Sequence, residues 1–271
     1  MGLIKVDYEK CIRCGACSDV CPSQIIETND EGLPIKGKDR SCIACGHCTA
    51  VCPVAAMDNR KAMLADCEQL GDWELPDAET MRKILRSRRS IRCYKSQNIH
   101  ESKITELLDL ARYAPTGGNS QGLSFVVFSD RKLLHELSQS VIDWMQHQID
   151  NKIEDYIYFR GAVKAWNDHG YDCILRGAPH LIVAIAPQKD KRAMSNCSYV
   201  WSYAELFAPS MGLGTCIAGY MHAAAFLQWQ PLLSLLELPE GFAPAGFLMA
   251  GYPKYKYKRL PPRQPLNVYI R

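Results

Sequence analysis

The chain has 271 residues, 47% of them hydrophobic and 23% charged, a globular composition that excludes a disordered or fibrous protein and is long enough for two domains, one of them small. Thirty-two basic residues against 29 acidic ones leave a formal charge of +3, too balanced to argue for nucleic acid or an anionic membrane as a partner. Apolar runs such as HLIVAIA (180–186) stop well short of the roughly 20 residues of a membrane helix, so no membrane association is expected. The start, MGLIKVDYEK, has no basic segment followed by an apolar stretch, and a cytoplasmic location is expected. Thirteen cysteines is the outlying number, and thiols in such a chain more often hold metal or do redox chemistry than form disulfides.

Nine of the cysteines lie in residues 1–67. CIRCGACSDVCP (11–22) recurs 31 residues later as CIACGHCTAVCP (42–53), identical at eight of twelve positions, which a duplicated unit explains most simply. Each copy reads C-x2-C-x2-C-x3-C-P. A disulfide framework and a pair of zinc sites are the competing readings; zinc prefers ligand groups separated by longer loops, and disulfides prefer an oxidising compartment. The runs resemble those of the two-cluster bacterial ferredoxins, in which three closely spaced thiolates and one distant thiolate hold each cube, the fourth cysteine of each run ligating the other cluster. The resemblance covers about residues 3–60. It implies one 4Fe–4S cluster on Cys11, Cys14, Cys17 and Cys52, and a second on Cys42, Cys45, Cys48 and Cys21. Gly15 and Gly46 are expected to let the backbone approach the clusters, and His47 to lie on the surface beside one of them. So short a segment has little apolar core, and the clusters are expected to act as one.

A ferredoxin-type domain is expected over residues 1–65, a linker over 66–79 and a second domain over 80–271. WELPDAET (73–80) reads as a stop followed by a helix start, capped by Asp77 or Thr80 with Glu79 in the first turn. ESKITELLDLARYA (101–114) has Ile104, Leu107, Leu108 and Ala111 at helical spacing before Pro115. Residues 131–149 and 196–212 read as further helices, the latter disturbed at Pro209, and SFVVF (124–128), HLIVAIA (180–186) and AGFLMAGY (245–252) as buried strands. The result is an α+β domain with more helix than strand. Cys67, Cys93, Cys173, Cys197 and Cys216 have no metal-ligand spacing, and core filling is expected for most of them. Trp166, His169 and Tyr171 are expected to have surface or packing roles.

Met81 to Lys95 is rich in Arg and Lys. A solvated helix face and nucleic-acid binding are two readings of it; a phosphate site is the third, because RSRRSIR mixes forked donors with a serine where a helix ends. Aromatic residues for stacking on single strands are limited there to Tyr94. RRSIRCY (88–94), ARYAPTGGNSQ (111–121), RGAPHLIVA (176–184), MGLGTCIAGY (211–220) and AGYPKYKYKRLP (250–261) occur in an order and spacing that resemble the FMN-dependent nitroreductase family over about residues 80–265. The chain as a whole looks like a ferredoxin-fused branch of it.

That resemblance implies a central antiparallel sheet surrounded by helices in a domain-exchanged homodimer. It implies that Arg88, Arg89 and Ser90 hold the FMN phosphate and ribityl chain, and that Arg92 lies near the pyrimidine edge. Pro115, Thr116, Gly117, Asn119 and Gln121 would contact the flavin from the partner subunit, and Cys216, Ile217, Ala218 and Gly219 would line the ring near N5, with an amide hydrogen bond from Ala218 or Gly219. Arg259, with Lys258 beside it, would close on the phosphate. No catalytic side chain is required, since the flavin carries the chemistry. No phosphate loop or dinucleotide fingerprint is present, which suits nicotinamide taken directly over the flavin. Gly122 and Leu123 replace the proline and aromatic residue common in the family loop, so the substrate wall departs from the pattern. The implied function is reduction of small electron-poor substrates, nitroaromatic or quinone in type, with electrons from NAD(P)H or a ferredoxin or flavodoxin partner relayed through two clusters. An electron-transfer adaptor without its own substrate, ene reduction and reductive dehalogenation are the alternatives.

Overall fold

The structure is a computed structural model that describes residues 2–37, 39–151 and 158–271. It divides into two compact units, Met1–Leu75 with Gly117–Ser120, and Pro76–Thr116 with Gln121–Arg271.

The first unit runs β1 (Ile4–Val6), α1 (Ala16–Asp19), β2 (Ile26–Thr28), β3 (Pro34–Gly37), α2 (His47–Ala50) and β4 (Met57–Asn59). β1 pairs antiparallel with β4, and β2 with β3. Its apolar core is small: Leu3, Ile25, Ile26, Cys48 and Met57 are buried, with the half-buried Cys17, Cys21, Cys42 and Cys52 packed against them. Four of the residues that would otherwise be core are therefore thiols, and the unit depends on what those sulfurs bind.

The second unit contains α3 (Ala78–Ser87), α4 (Glu101–Ala111), β5 (Ser124–Phe128), α5 (Arg131–Asp150), α6 (Phe159–His169), β6 (His180–Pro187), α7 (Ala193–Phe207), β7 (Gly214–Ile217), α8 (Gly219–Phe226), α9 (Gln230–Leu235) and β8 (Phe242–Gly251). The strands form an antiparallel sheet of order β5-β6-β8-β7. β6 reads as a continuous apolar run because both faces are covered. Leu181, Val183 and Ile185 pack with residues of α5, α6, α8 and α9, whereas Ile182 and Ala184 pack with α4 and α7. This is the expected central antiparallel sheet between helical layers. Asp77 caps α3 by accepting from the Glu79 and Thr80 amides.

Three sequence expectations need correction. The helix expected over 196–212 begins at Ala193 and ends at Phe207, where a 3-10 turn over Ala208–Met211 takes in Pro209, whose missing N–H and ring stop the regular hydrogen-bond ladder. β7 was not expected as a strand: only four residues long and opened by glycine, it carries little pattern of its own and is specified by pairing with β8. Cys173, Cys197 and Cys216 are buried as expected, but Cys67 and Cys93 are exposed.

His180 opens β6 and is buried. Its Nε2 accepts from the Ile99 amide at 2.8 Å, which leaves Nδ1–H to donate to Ser129 Oγ at 2.8 Å. The approaches to α4, α5 and β6 are thereby tied to one neutral imidazole, whose pKa burial pushes down.

Candidate cofactor sites

In the first unit the backbone repeats with the sequence. Arg13 and Ala44, Gly15 and Gly46, and Gln24 and Ala55, each pair 31 residues apart, all adopt left-handed φ. Gly15 and Gly46 stand immediately before α1 and α2 at φ 78° and 73°, a conformation that disfavours any side chain. Each short helix then turns its third and fourth cysteines inward through matched bonds, Ser18 N–H to the Gly15 carbonyl at 2.9 Å and Thr49 N–H to the Gly46 carbonyl at 3.1 Å. Non-glycine residues held left-handed cost about 1–3 kcal/mol each, so these loops are shaped for something that repays the strain.

Two cavities result. One is lined by Cys11, Cys14, Cys17 and Cys52, with Arg13, Gly15, Pro34 and Met57 among its walls. The other is lined by Cys21, Cys42, Cys45 and Cys48, with Ile25, His47 and Asn59. Each contains three cysteines of one run and the last cysteine of the other. All eight are free thiols, with no disulfide among them. Burial, with the facing Cys52 and Cys11 sulfurs as lesser causes, pushes the Cys17 thiol up. The donor set, four sulfurs converging on a mainly apolar pocket, fits an iron–sulfur cluster.

The two cavities differ at one side chain. Asn59, buried at the end of β4, donates from Nδ2 to Cys48 Sγ at 3.4 Å and toward Cys42 Sγ at 3.8 Å, while its Oδ1 accepts from the Lys61 amide at 3.0 Å. Its repeat-related position holds Thr28, which is exposed. Sequence reasoning missed Asn59; that break in the repeat was the available signal.

In the second unit the basic segment after α3 lies along the edge of β7. Ile91 N–H donates to the Thr215 carbonyl at 2.9 Å, Lys95 N–H to the Tyr252 carbonyl at 2.8 Å, and Tyr94 Oη to the Ile91 carbonyl at 2.6 Å. Gly214 makes the approach close enough: a Cβ there would stand 2.6 Å from Ile91 Cγ1 and 2.9 Å from Pro253 Cγ. The segment 88–92 thus meets 215–216. Burial pushes the Cys216 thiol up, with Arg92 and the Ser90 hydroxyl pulling it back.

Arg89 Nε is buried without a hydrogen-bond partner, and the Arg89 guanidinium lies 5.9 Å from the Tyr257 ring centre, on the same exposed C-terminal stretch as Lys258 and Arg259. Arg88 is spoken for differently, with Nη1 3.4 Å from Glu205 Oε1 and side chains only 24% and 11% exposed. Burial raises the Glu205 pKa and Arg88 and Arg92 lower it. Glu205, the only charged residue of α7, was also missed by motif reasoning.

Of the two amides expected near a flavin N5, that of Ala218 is occupied, donating to the Phe247 carbonyl at 3.0 Å. The amide of Gly219 stands at the first position of α8, where a helix offers it no acceptor. Ile217 and Gly219 open on a groove of about 720 Å³ that also takes in Trp201, His222 and Phe247. Burial holds His222 below the ordinary histidine range.

The loop expected to reach a partner's flavin divides. Thr116 Oγ1 accepts from the Gln121 amide at 3.1 Å, both residues belonging to the second unit, and Pro115 is exposed. Gly117–Ser120 clusters with the first unit, and Asn119 Nδ2 donates to the Ile43 and Ala44 carbonyls at 3.0 and 2.9 Å.

Against known proteins, residues 85–252 match the nitroreductase family and residues 3–53 match a 4Fe–4S dicluster domain. A protein of Archaeoglobus fulgidus whose name carries the words NADH dehydrogenase/NAD(P)H nitroreductase is 38% identical over 58 residues, 21% of this chain and 33% of its own length. The match thus spans one third of that relative. Among solved structures, a Bacteroides fragilis nitroreductase with bound FMN superposes with a TM-score of 0.56 at 19% identity, over 70% of this chain and 98% of its own. A Desulfitobacterium hafniense nitroreductase with bound FMN gives 0.56 at 22% identity, over 72% and 100%. A BluB-like flavoprotein of Clostridium difficile gives 0.55 at 20%, over 70% and 99%. At these identities the likeness is one of fold. Among the described residues no helix is long and apolar enough to cross a membrane.

Proposed function

We propose that this chain, which belongs to the nitroreductase family and carries a 4Fe–4S dicluster domain at its N-terminus, is an FMN-dependent oxidoreductase that reduces small electron-poor substrates of nitroaromatic or quinone type with electrons relayed through two clusters. The observation that carries the reading is the presence, in one chain, of two four-cysteine cavities and a basic segment laid along β7 with a buried, unpartnered arginine donor.

That orphaned Arg89 Nε fits an anionic group, because a buried guanidinium N–H without an acceptor is costly unless a ligand supplies one. Arg89, Arg88 and Ser90 would hold the phosphate and ribityl chain, with Lys258 and Arg259 closing from the C-terminal stretch. Glu205 holds the Arg88 guanidinium in place. Arg92 would set a positive charge at the pyrimidine edge, and Gly219 would donate its amide near N5. Pro115, Thr116, Gly117 and Gln121 would complete the site from the second subunit of a homodimer, while the Asn119 Nδ2 is committed to the Ile43 and Ala44 carbonyls and would leave only Oδ1 for a flavin. Bound FMN supplies hydride chemistry at N5. The clusters would take single electrons from a ferredoxin- or flavodoxin-like donor, and NAD(P)H would serve as a two-electron co-substrate.

Protein purified anaerobically and denatured should release FMN and about eight irons per chain. Anaerobic titration with NADH, NADPH and a reduced ferredoxin, followed by addition of a nitroaromatic or quinone panel, then identifies donor and substrate class. Absence of flavin in the denatured extract would sink the FMN reading, and absence of iron the relay.

A further inference from the structure

The duplicated halves of the first unit hold two cavities of matched backbone, so the few places where they depart from one another bear on why the chain has two. Walls lined by Arg13 and by His47 differ in charge, but Arg13 is spent on Glu31 at 3.1 Å and both are exposed to solvent. Other walls differ in apolar bulk or at the half-buried Ser23, and the buried polar departure is Asn59. Its amide orientation is fixed: Oδ1 accepts from the Lys61 N–H, so the two N–H bonds of Nδ2 must face the sulfurs. Both sulfurs, Cys48 and Cys42, line the same cavity, and the Ala44 amide adds a third donor to Cys42 Sγ at 3.5 Å. In the first cavity the donors to sulfur are backbone amides, Ala56 to Cys52 Sγ at 3.2 Å and those of Ser18 and Cys17 to the Cys17 thiol, and no side-chain amide among the described residues plays the part of Asn59 there.

We infer that Asn59 makes the cluster held by Cys21, Cys42, Cys45 and Cys48 the more readily reduced of the two, so that an electron entering the domain comes to rest there. The inference rests on the cluster reading of the eight cysteines. Reduction adds one negative charge that spreads over the thiolate sulfurs, and hydrogen bonds to those sulfurs raise a cluster's potential. A buried amide is already oriented toward that charge, costs no reorganisation when it arrives, and acts in a medium of low dielectric. Burial of Cys48 alone would disfavour the extra charge, but Asn59 is part of the wall that buries it, replacing the water an exposed sulfur would bind with a fixed donor. The electron balance is simple: an external low-potential one-electron carrier reduces either cluster, and transfer from a reduced first cluster to an oxidised second one restores the first and reduces the second by one electron.

The test is an electron paramagnetic resonance titration of the full-length holoprotein, wild type beside Asn59→Thr, which copies the residue at the repeat-related position. The wild type should show two separate cluster steps, the electron favouring one cluster about tenfold, or about 59 mV. In Asn59→Thr, with iron content unchanged, the upper step should fall toward the lower. Coincident steps in the wild type, or an upper step unmoved in a variant that keeps its iron, would overturn the inference. If the variant loses iron, wild-type protein labelled with 15N-asparagine decides: among the described residues Asn59 is the only asparagine lining either cavity, and the first-reduced cluster should show a 15N coupling whose absence overturns the inference. Failure of the cluster reading itself looks different, as protein without iron in any form.

Discussion

Asn119 donates its side-chain amide to two consecutive main-chain carbonyls, those of Ile43 at 3.0 Å and Ala44 at 2.9 Å, within the loop that presents Cys42 and Cys45. Ala44 is one of the left-handed residues of that loop, at φ 56°. A remote stretch of sequence thus clamps a strained ligand loop. Asn119→Ala removes both bonds, each worth about 0.5–1.5 kcal/mol, and should loosen this loop without unfolding the chain. Hydrogen exchange should rise at residues 43–46 and stay level at the repeat-related 12–15; equal change in both loops would contradict the clamp.

The crossed lining of the cavities assigns the two distant cysteines opposite effects. Cys52→Ala should empty the cavity of Cys11, Cys14 and Cys17, and Cys21→Ala that of Cys42, Cys45 and Cys48, each leaving about four irons per chain. Under the crossed lining Cys52→Ala should leave the same paramagnetic signal as Cys14→Ala, and Cys21→Ala the same as Cys45→Ala. A Cys52→Ala signal that matches Cys45→Ala instead would contradict the crossed arrangement.

Gly214 sets how closely the basic segment lies on β7. Gly214→Ala drives a methyl to 2.6 Å from Ile91, overpacking worth about 1–3 kcal/mol, and should displace residues 88–92. Flavin retention should fall by about tenfold or more, measured by fluorescence of released FMN. Adding Ile91→Ala removes Cγ1 but leaves the methyl 2.9 Å from both Ile91 Cβ and Pro253 Cγ, so the double variant should recover only part of the loss; flavin retention unchanged in Gly214→Ala alone would show that Gly214 acts otherwise.

Arg89→Met keeps the stem and deletes the orphaned donor. Loss of a charge-assisted bond to phosphate costs about 1.5–3 kcal/mol, roughly 10- to 150-fold in FMN affinity by anaerobic fluorescence titration. Unchanged affinity would remove Arg89 from the phosphate site.

His180 is held neutral, its pKa pushed below the ordinary 6.5 by burial. The unfolded chain therefore binds a proton that the folded one refuses, and stability is full above about pH 6.5 and falls as pH drops from there toward the lowered folded value. His222, shifted the same way, adds to the slope. Melting temperature followed from pH 7.5 to 5.5 should decline, and His180→Asn should flatten the decline while lowering the plateau. A melting temperature that rises on acidification would refute the assignment.

What was legible in the sequence was local or periodic. The cysteine runs announce themselves because a cube needs closely spaced thiolates. The buried strands β6 and β8 and the helices α4 and α5 show because burial imposes a pattern on several consecutive residues. β7 escaped because four residues opened by glycine carry no period, α8 because a short apolar helix lacks a polar face, and α9 because six residues are too few to show a helical period. Glu205, and the hold of Asn119 on the Cys42–Cys45 loop where the sequence had suggested a flavin contact, escaped for another reason. Each acts on a residue distant in sequence, Glu205 on Arg88 across 117 positions and Asn119 on Ala44 across 75, and no spacing rule reaches so far.

The exchange of one cysteine between the two runs also fixes an order of events during synthesis. A nascent chain cannot complete the first cavity on emergence of Cys11, Cys14 and Cys17, because its fourth sulfur is Cys52 and its wall runs on to Met57. The second has its four sulfurs once Cys48 has emerged, Cys21 having preceded it, and its wall closes with Asn59. Both cavities therefore close within a few residues of translation, and the cell's cluster-loading machinery meets either eight waiting thiols or none properly arranged.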